Sequence, residues 1–345
     1  MPIVVLANLA IGRSWAHILT AVLAGMFAGI TFLYGALDLA GRWTNPGTHN
    51  AFAVDIGLMA TALIAAVLMS KPVRERVARI IPIDPDNPVH ALALVWAILL
   101  LGILPTTTAF MNTATTDQPP LTVADLLAQE LPFFVIGAVG VGVYVRRNMS
   151  EAATRLGLVR PAWWQPVLAV AAAGLFYAVA EAMHQLSYVV TPDVARQVDT
   201  TTQHLFGGLG GPLGIAVIAL APGICEEILF RGALQPRLGL IVTALLFTAF
   251  HSQYSLSLDA LSVLMIAIGL GLIRKYTNTT TSLVSHVTYN LLAGIGVASS
   301  MIPGAIAVEA LLIGVSIYAI WSSRRRADPA GEALTTGVGS QEKNE

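Results

Sequence analysis

The chain has 345 residues, 55% of them hydrophobic and only 11% charged, with a formal net charge of −1 and a mean hydropathy of +0.71. Soluble domains carry about 25% charged residues, so most of this surface is expected to face lipid, and the near-neutral balance excludes nucleic acid as a partner. The single cysteine, Cys225, excludes an intramolecular disulfide and any cysteine-based zinc cluster.

A helix needs about 20 apolar residues to cross the hydrocarbon core of a bilayer. The first such stretch, 15–39, follows Arg13 with no persuasive small-residue cleavage site, and reads as an uncleaved span rather than a signal peptide. Further stretches follow at 51–70, 89–111, 131–146, 163–187, 209–235, 238–251, 256–273, 280–298 and 304–322, which makes ten. The fourth and seventh are short. Only "PRLG" separates the sixth from the seventh, so those two are expected to be tilted or partly re-entrant. The expectation is an all-α, polytopic helix bundle with no soluble domain in its loops and no internal repeat. The polar residues 323–345 read as a disordered tail.

Basic residues alternate with the spans. Lys71, Arg74, Arg76 and Arg79 follow the second, and Arg146, Arg147, Arg155 and Arg160 the fourth. Arg237 follows the sixth, Arg274 and Lys275 the eighth, and Arg324 to Arg326 the tenth. Loops of the other parity hold only Arg42 and Arg196. By the positive-inside rule both termini are expected in the cytoplasm, and the alanine-rich, short-looped style fits a bacterial inner membrane.

The costly residues sit in "LAPGICEEILFRGALQP", residues 220–236. An ionisable group at mid-membrane costs roughly 2.5–3.5 kcal/mol on the lenient insertion scale. Glu227 and Arg231 are four apart with the acid first, the favourable order for an ion pair on one helix face. Glu226 points about 100° away and is left over. Two later helices offer polar groups, His251 in "FTAFH" and His286 with Asn290 in "HVTYN". Counted from Arg237 and Lys275, Glu226 and His286 each lie roughly 16 Å deep and His251 roughly 21 Å. A single intramembrane histidine commonly serves packing, and the string EExxxR in a soluble helix would mean nothing; here three helices bring such groups to one depth. Glu181 and His184 also share a face, but lie near the outer end, where solvation by the interface accounts for them.

"EEILFRG", "FTAFH" and "HVTYN" resemble, in order and spacing, the EExxxR, FxxxH and HxxxN motifs of the CPBP (CAAX protease and bacteriocin-processing, or Abi) intramembrane endopeptidases, among them the type II CAAX prenyl endopeptidases. The resemblance covers about residues 205–298 and shows no departure at the motif positions. It implies a peptidase core over 126–322, preceded by N-terminal transmembrane helices over 1–125. It implies peptide-bond hydrolysis in a membrane protein or peptide substrate. Glu226, helped by His251, would activate a water; His286 and Asn290 would stabilise the oxyanion; Glu227 and Arg231 would hold the site. No organic cofactor is expected. Glu226, His251 and His286 could also supply three ligands to a catalytic zinc ion, so metal-dependent and metal-free chemistry both fit the residues. The alternative from another class is a non-proteolytic membrane protein, an immunity factor or transporter-like scaffold, that uses the same polar cluster for binding. Oligomeric state has no signature in the sequence.

Overall fold

The computed structural model describes residues 1–42, 52–110 and 119–327. Among them the chain is helical throughout, with one isolated bridge between Val143 and Arg147 and no strand. A short α1 (Pro2–Leu9) leads into α2 (Ser14–Gly41), α3 (Phe52–Leu68), α4 (Lys71–Val77), α5 (Pro88–Phe110) and α6 (Val123–Gly140). Then come α7 (Met149–Leu156), α8 (Gln165–Val190), α9 (Pro192–Phe206) and α10 (Pro212–Glu226). A π-helical segment, Glu227–Leu234, joins α10 to α11 (Gln235–Phe250), and α12 (Leu258–Tyr276), α13 (Thr279–Ile295) and α14 (Ile302–Ala327) complete the bundle.

The architecture is the expected helical membrane bundle, while the number of crossings is not settled at ten. Six helices are long and apolar enough to cross a membrane, or seven if α3 and α4, bent by 96° at their junction, count as one span. Two of the expected spans fall short for readable reasons: α13 has 17 residues, and α12 carries Asp259, Arg274 and Lys275 at its ends. The expected fourth span shifts from 131–146 to 123–140. Its start is set by a capping box, in which Thr122 and Asp125 each satisfy the other's backbone N–H, and it ends where Gly142 takes a left-handed turn at φ +90°. The expected tail lies outside the described residues from 328 onward.

Trp15, Ile18, Leu37, Leu213 and Ile306 are all exposed, as lipid-facing side chains must be. Inside, the main apolar core reaches from α1 to α12, and a smaller one of Val141, Ala152, Leu156, Ile228 and Ala233 lies beside the π segment. Ala24, Ala65, Leu94 and Val95 from the first helices pack in the same cluster as Phe230, Leu238, Phe247 and Ala267. The N-terminal helices therefore buttress the π segment rather than form a separate body.

The loops sort by charge. Arg146 reaches Asn8 Oδ1 at 2.8 and 3.0 Å, Arg237 reaches Gly140 O at 3.2 Å, and Asn278 reaches Gln165 at 2.8 Å. These contacts gather the basic loops and the N-terminus at one end. At the other end, Arg42 is paired with Asp55 at 2.8 Å and Arg196 with Asp193 at 2.5 Å, so the two arginines there are neutralised locally. The charge asymmetry between the ends is thus sharper than the residue count.

If the basic end is cytoplasmic, reporter fusions after residue 327 and within 79–87 give the same cytoplasmic signal. A fusion at 119–121, beside the Leu121–Leu205 backbone contact of the opposite end, gives the other. The same signal from all three would overturn this orientation.

Candidate active site

The helix bearing the paired glutamates does not remain an α-helix. α10 opens with Pro212 in its first turn, where a missing N–H costs nothing, but holds a second proline, Pro222, in its interior. Pro222 cannot donate to the preceding turn and its ring crowds it. Five residues on, the helix widens into the π segment. Such widened turns are rare and concentrate at functional sites. Gly223 lets α10 close on α13: a Cβ there would lie 2.5 Å from Val287 Cγ2 and 3.1 Å from the Val287 nitrogen. That approach brings "HVTYN" against the glutamates.

The two adjacent acids meet different fates. Glu227 is fully buried and saturated. Its Oε1 takes Arg231 Nη1 and His286 Nδ1, each at 3.0 Å, and its Oε2 takes the Ser282 hydroxyl at 2.6 Å. Arg231, also buried, faces Glu227 through Nη1 as an ion pair without hydrogen-bond geometry, donates Nη2 to Ala267 O at 3.3 Å and lies 4.2 Å over the Phe247 ring. Glu226 is nearly as buried, yet its Oε2 has no hydrogen-bond partner. The nearest cationic candidate is His286 Nε2, at 3.8 Å.

His286 therefore stands between the glutamates. When Nδ1–H donates to Glu227, the neutral ring turns the lone pair of Nε2 toward Glu226; a second proton would make that edge a donor as well. The Glu227 contact fixes the ring, as a carboxylate fixes the histidine of a catalytic triad. Glu227 is thus more than half of an ion pair with Arg231; it also positions His286.

His251 and Asn290 lie at the margin. His251 caps α11, bonds the Phe247 carbonyl through Nδ1 at 2.8 Å and packs on the Phe247 ring at 4.6 Å. Phe247 in turn meets His286 edge-on at 5.8 Å. One aromatic ring thus separates the two histidines, and no hydrogen bond joins His251 to Glu226. Asn290 Nδ2 donates to Ile218 O at 3.3 Å, tying α13 to α10.

Nδ1 of His286 and Nδ1 of His251 are both engaged, which leaves each ring its Nε2 edge for a ligand. Among the described residues no three His, Cys, Asp or Glu side chains are grouped so as to hold a metal ion.

Three participants went unnoticed in the sequence. Ser282 lies one turn before His286 on the same face, and that i,i−4 spacing was the available signal. Phe247 was legible only as part of a motif. Glu130, on α6, is a buried carboxylate whose Oε2 has no partner, within electrostatic reach of Glu226; a lone acid in the apolar run "AQELPFF" was its signal. His184 does not join Glu181. It pairs with Asp259 at 2.9 Å and Asp199 at 3.5 Å, tying α8 to α12 and α9. A cavity of about 420 Å³ is lined by Phe27, Trp96, Phe133, Phe230 and Phe250 among others. It touches neither Glu226 nor His286.

Residues 208–292 match the family model described as type II CAAX prenyl endopeptidase Rce1-like. Comparison with curated proteins and with solved structures gives no significant match.

The difference between the glutamates is measurable. Glu227→Gln leaves Arg231 an unpaired buried cation, and the expected loss is about 3–5 kcal/mol of stability. Glu226→Gln removes a carboxylate that no donor satisfies, so thermal unfolding of the purified variant is expected unchanged or higher. Equal destabilisation by both substitutions would contradict this assignment.

Proposed function

We propose, from the match of residues 208–292 to the type II CAAX prenyl endopeptidase family model, that the protein is an intramembrane endopeptidase of the CPBP/CAAX type. Its substrate is the peptide chain of a membrane-associated protein or peptide, cleaved by a water that Glu226 activates. The observation that supports this reading most is the asymmetry of the paired acids. A protein that needed only a structural lock would saturate both. Here Glu227 takes every donor within reach, and Glu226 is left with a free oxygen facing a positioned imidazole.

In this reading Glu226 takes the proton of the attacking water as the water oxygen bonds to the scissile carbonyl carbon. His286, braced by Glu227, presents the Nε2 edge that passes this proton from Glu226 to the amide nitrogen, which leaves as an amine when the C–N bond breaks. Asn290 lies one turn along the same face of α13 and is a second donor toward the oxyanion once substrate displaces its bond to Ile218 O. His251 keeps its Nε2 edge free, because Nδ1 is held by a backbone carbonyl. No covalent intermediate is needed.

Glu226→Gln preserves shape and removes the base. Hydrolysis is expected to fall roughly 10²–10⁴-fold at normal membrane abundance, read as a precursor that accumulates in quantitative membrane proteomics. Wild-type abundance of every membrane peptide in that variant would favour a binding scaffold instead.

The metal-free form of the mechanism has its own test. His286→Ala is expected to lower the rate by roughly 10²–10³-fold, the usual loss of one oxyanion-type donor, with no change in bound metal by elemental analysis. One tightly held zinc per chain, lost in that variant, would establish the metal-dependent form.

A further inference from the structure

Five arginines from four separate parts of the chain converge at the basic end. Arg237, at the start of α11, reaches Gly140 O at 3.2 Å. Arg147 bonds Val141 O in the same turn, and Arg146 is held by Asn8. Arg155 lies in the last turn of α7, whose next residue, Leu156, packs directly on Gly232 of the π segment. Arg274 closes the group: its Cζ would lie 2.9 Å from a Cβ placed on Gly157, the left-handed cap of α7.

None of the five is paired with a carboxylate among the described residues. The acids that could serve are engaged elsewhere. Glu151, one turn before Arg155, accepts the Asn148 backbone N–H at 2.9 Å. Asp86 pairs with Lys71 at 2.6 Å, and Glu75 lies 4.0 Å from the same lysine. Asp84 accepts the Asp86 N–H at 3.0 Å. His90 adds no negative charge; its Nδ1 accepts the Asp84 N–H at 2.9 Å. Arg155 makes no hydrogen bond or ion pair at all among the described residues. The Nε atoms of Arg237 and Arg274 are buried without partners. Burial, with Arg147 nearby, holds the Arg155 guanidinium below its usual range, as burial with Arg147 and Arg155 does for Arg146.

Like charges packed this closely repel, and partial burial weakens the screening that would spare an exposed group. A counter-anion from outside the chain relieves both problems. We propose that this end of the bundle is a binding site for an anionic lipid headgroup, whose phosphate sits against Arg155 and Arg274. A cleft of about 360 Å³ opens beside Arg274 and Lys275, walled by Pro82, Gln235, Pro236 and Leu240. Guanidinium forks match phosphate oxygens in pairs, and basic pockets between helices on the cytoplasmic side are a known seat for acidic headgroups. The source is a lipid rather than a soluble anion because apolar side chains, Tyr144, Met149, Ile241 and Tyr276, stand exposed around the cluster, where acyl chains and glycerol would lie. This inference does not depend on the hydrolytic reading.

The test turns on a sign. Arg155 satisfies no protein group, so Arg155→Gln strands nothing. Without a bound anion it removes repulsion, and the variant melts higher than wild type in every lipid. With a bound headgroup it removes a ligand. The full chain and the variant are reconstituted in nanodiscs of phosphatidylcholine alone and with phosphatidylglycerol. The expected result is a wild-type Tm raised by about 2 °C or more with phosphatidylglycerol, and a rise largely lost in Arg155→Gln and in Arg274→Gln. Native mass spectrometry should show phosphatidylglycerol retained by wild type and lost by Arg155→Gln. A wild-type Tm that ignores phosphatidylglycerol, or an equal rise from millimolar inorganic phosphate in phosphatidylcholine discs, would overturn the proposal.

Discussion

A complete ion pair held inside a nearly dry helix bundle is the constraint that organises the rest of this structure. Glu227 and Arg231 each cost several kcal/mol to remove from water, and their mutual attraction repays that only if every remaining donor and lone pair is occupied. The chain comes close to that condition with three other helices, leaving Arg231 Nη1 in ion-pair contact with Glu227 but without a hydrogen bond. α13 supplies Ser282 and His286 to the carboxylate, α12 gives the Ala267 carbonyl to the guanidinium, and α11 places the Phe247 ring beneath it. Moving any of these helices would expose a buried charge. The pair therefore fixes the relative positions of α11, α12 and α13 around the π segment.

That rigidity accounts for the neighbouring residue. Adjacent positions on a helix diverge by about 100°, so donors gathered around Glu227 cannot also serve Glu226. The junction of α10 with the π segment falls between the two acids, which keeps them in different surroundings although they are consecutive. His286 faces both, with Nδ1 committed to Glu227 and Nε2 turned to Glu226. On the proposed reading the base needs no mobile element to be exposed; it is produced by satisfying its neighbour.

Much of this was legible in the sequence because charge in an apolar run is expensive and so informative. The ion pair, the leftover acid and the approach of α13 to α10 follow from spacing and depth alone. The end-to-end charge asymmetry was equally readable. What escaped depends on backbone detail or on cheap residues. The π widening has no pattern of its own beyond Pro222 within the helix. Ser282 costs little to bury and so gave no alarm, though it supplies a hydrogen bond to the central carboxylate. Depth counting put His251 near Glu226, but it could not see Phe247 standing between the histidines, since depth fixes height along the bundle and not azimuth. α6 was placed eight residues late because Asp125 and Glu130 lowered its apparent apolarity. The first is a cap; the second is a buried acid.

Charge is handled by opposite rules at the two levels of this bundle. In the interior, where no counter-ion can arrive, Glu227 is compensated from within the chain by Arg231. At the basic end five arginines are left without a carboxylate among the described residues, and on our proposal a headgroup supplies the counter-charge. Each rule is what the local supply of counter-charge allows. Among the described carboxylates buried to nine tenths or more, only Glu130 and Glu226 lack a hydrogen-bond donor. They are carried on helices that pack against each other, α6 and α10. Two unsatisfied acids in the same part of an otherwise compensated interior are not explained by packing, since apolar residues of similar volume would pack at lower cost. The departure from the interior rule is what singles out Glu226, and it brings Glu130 to the same site.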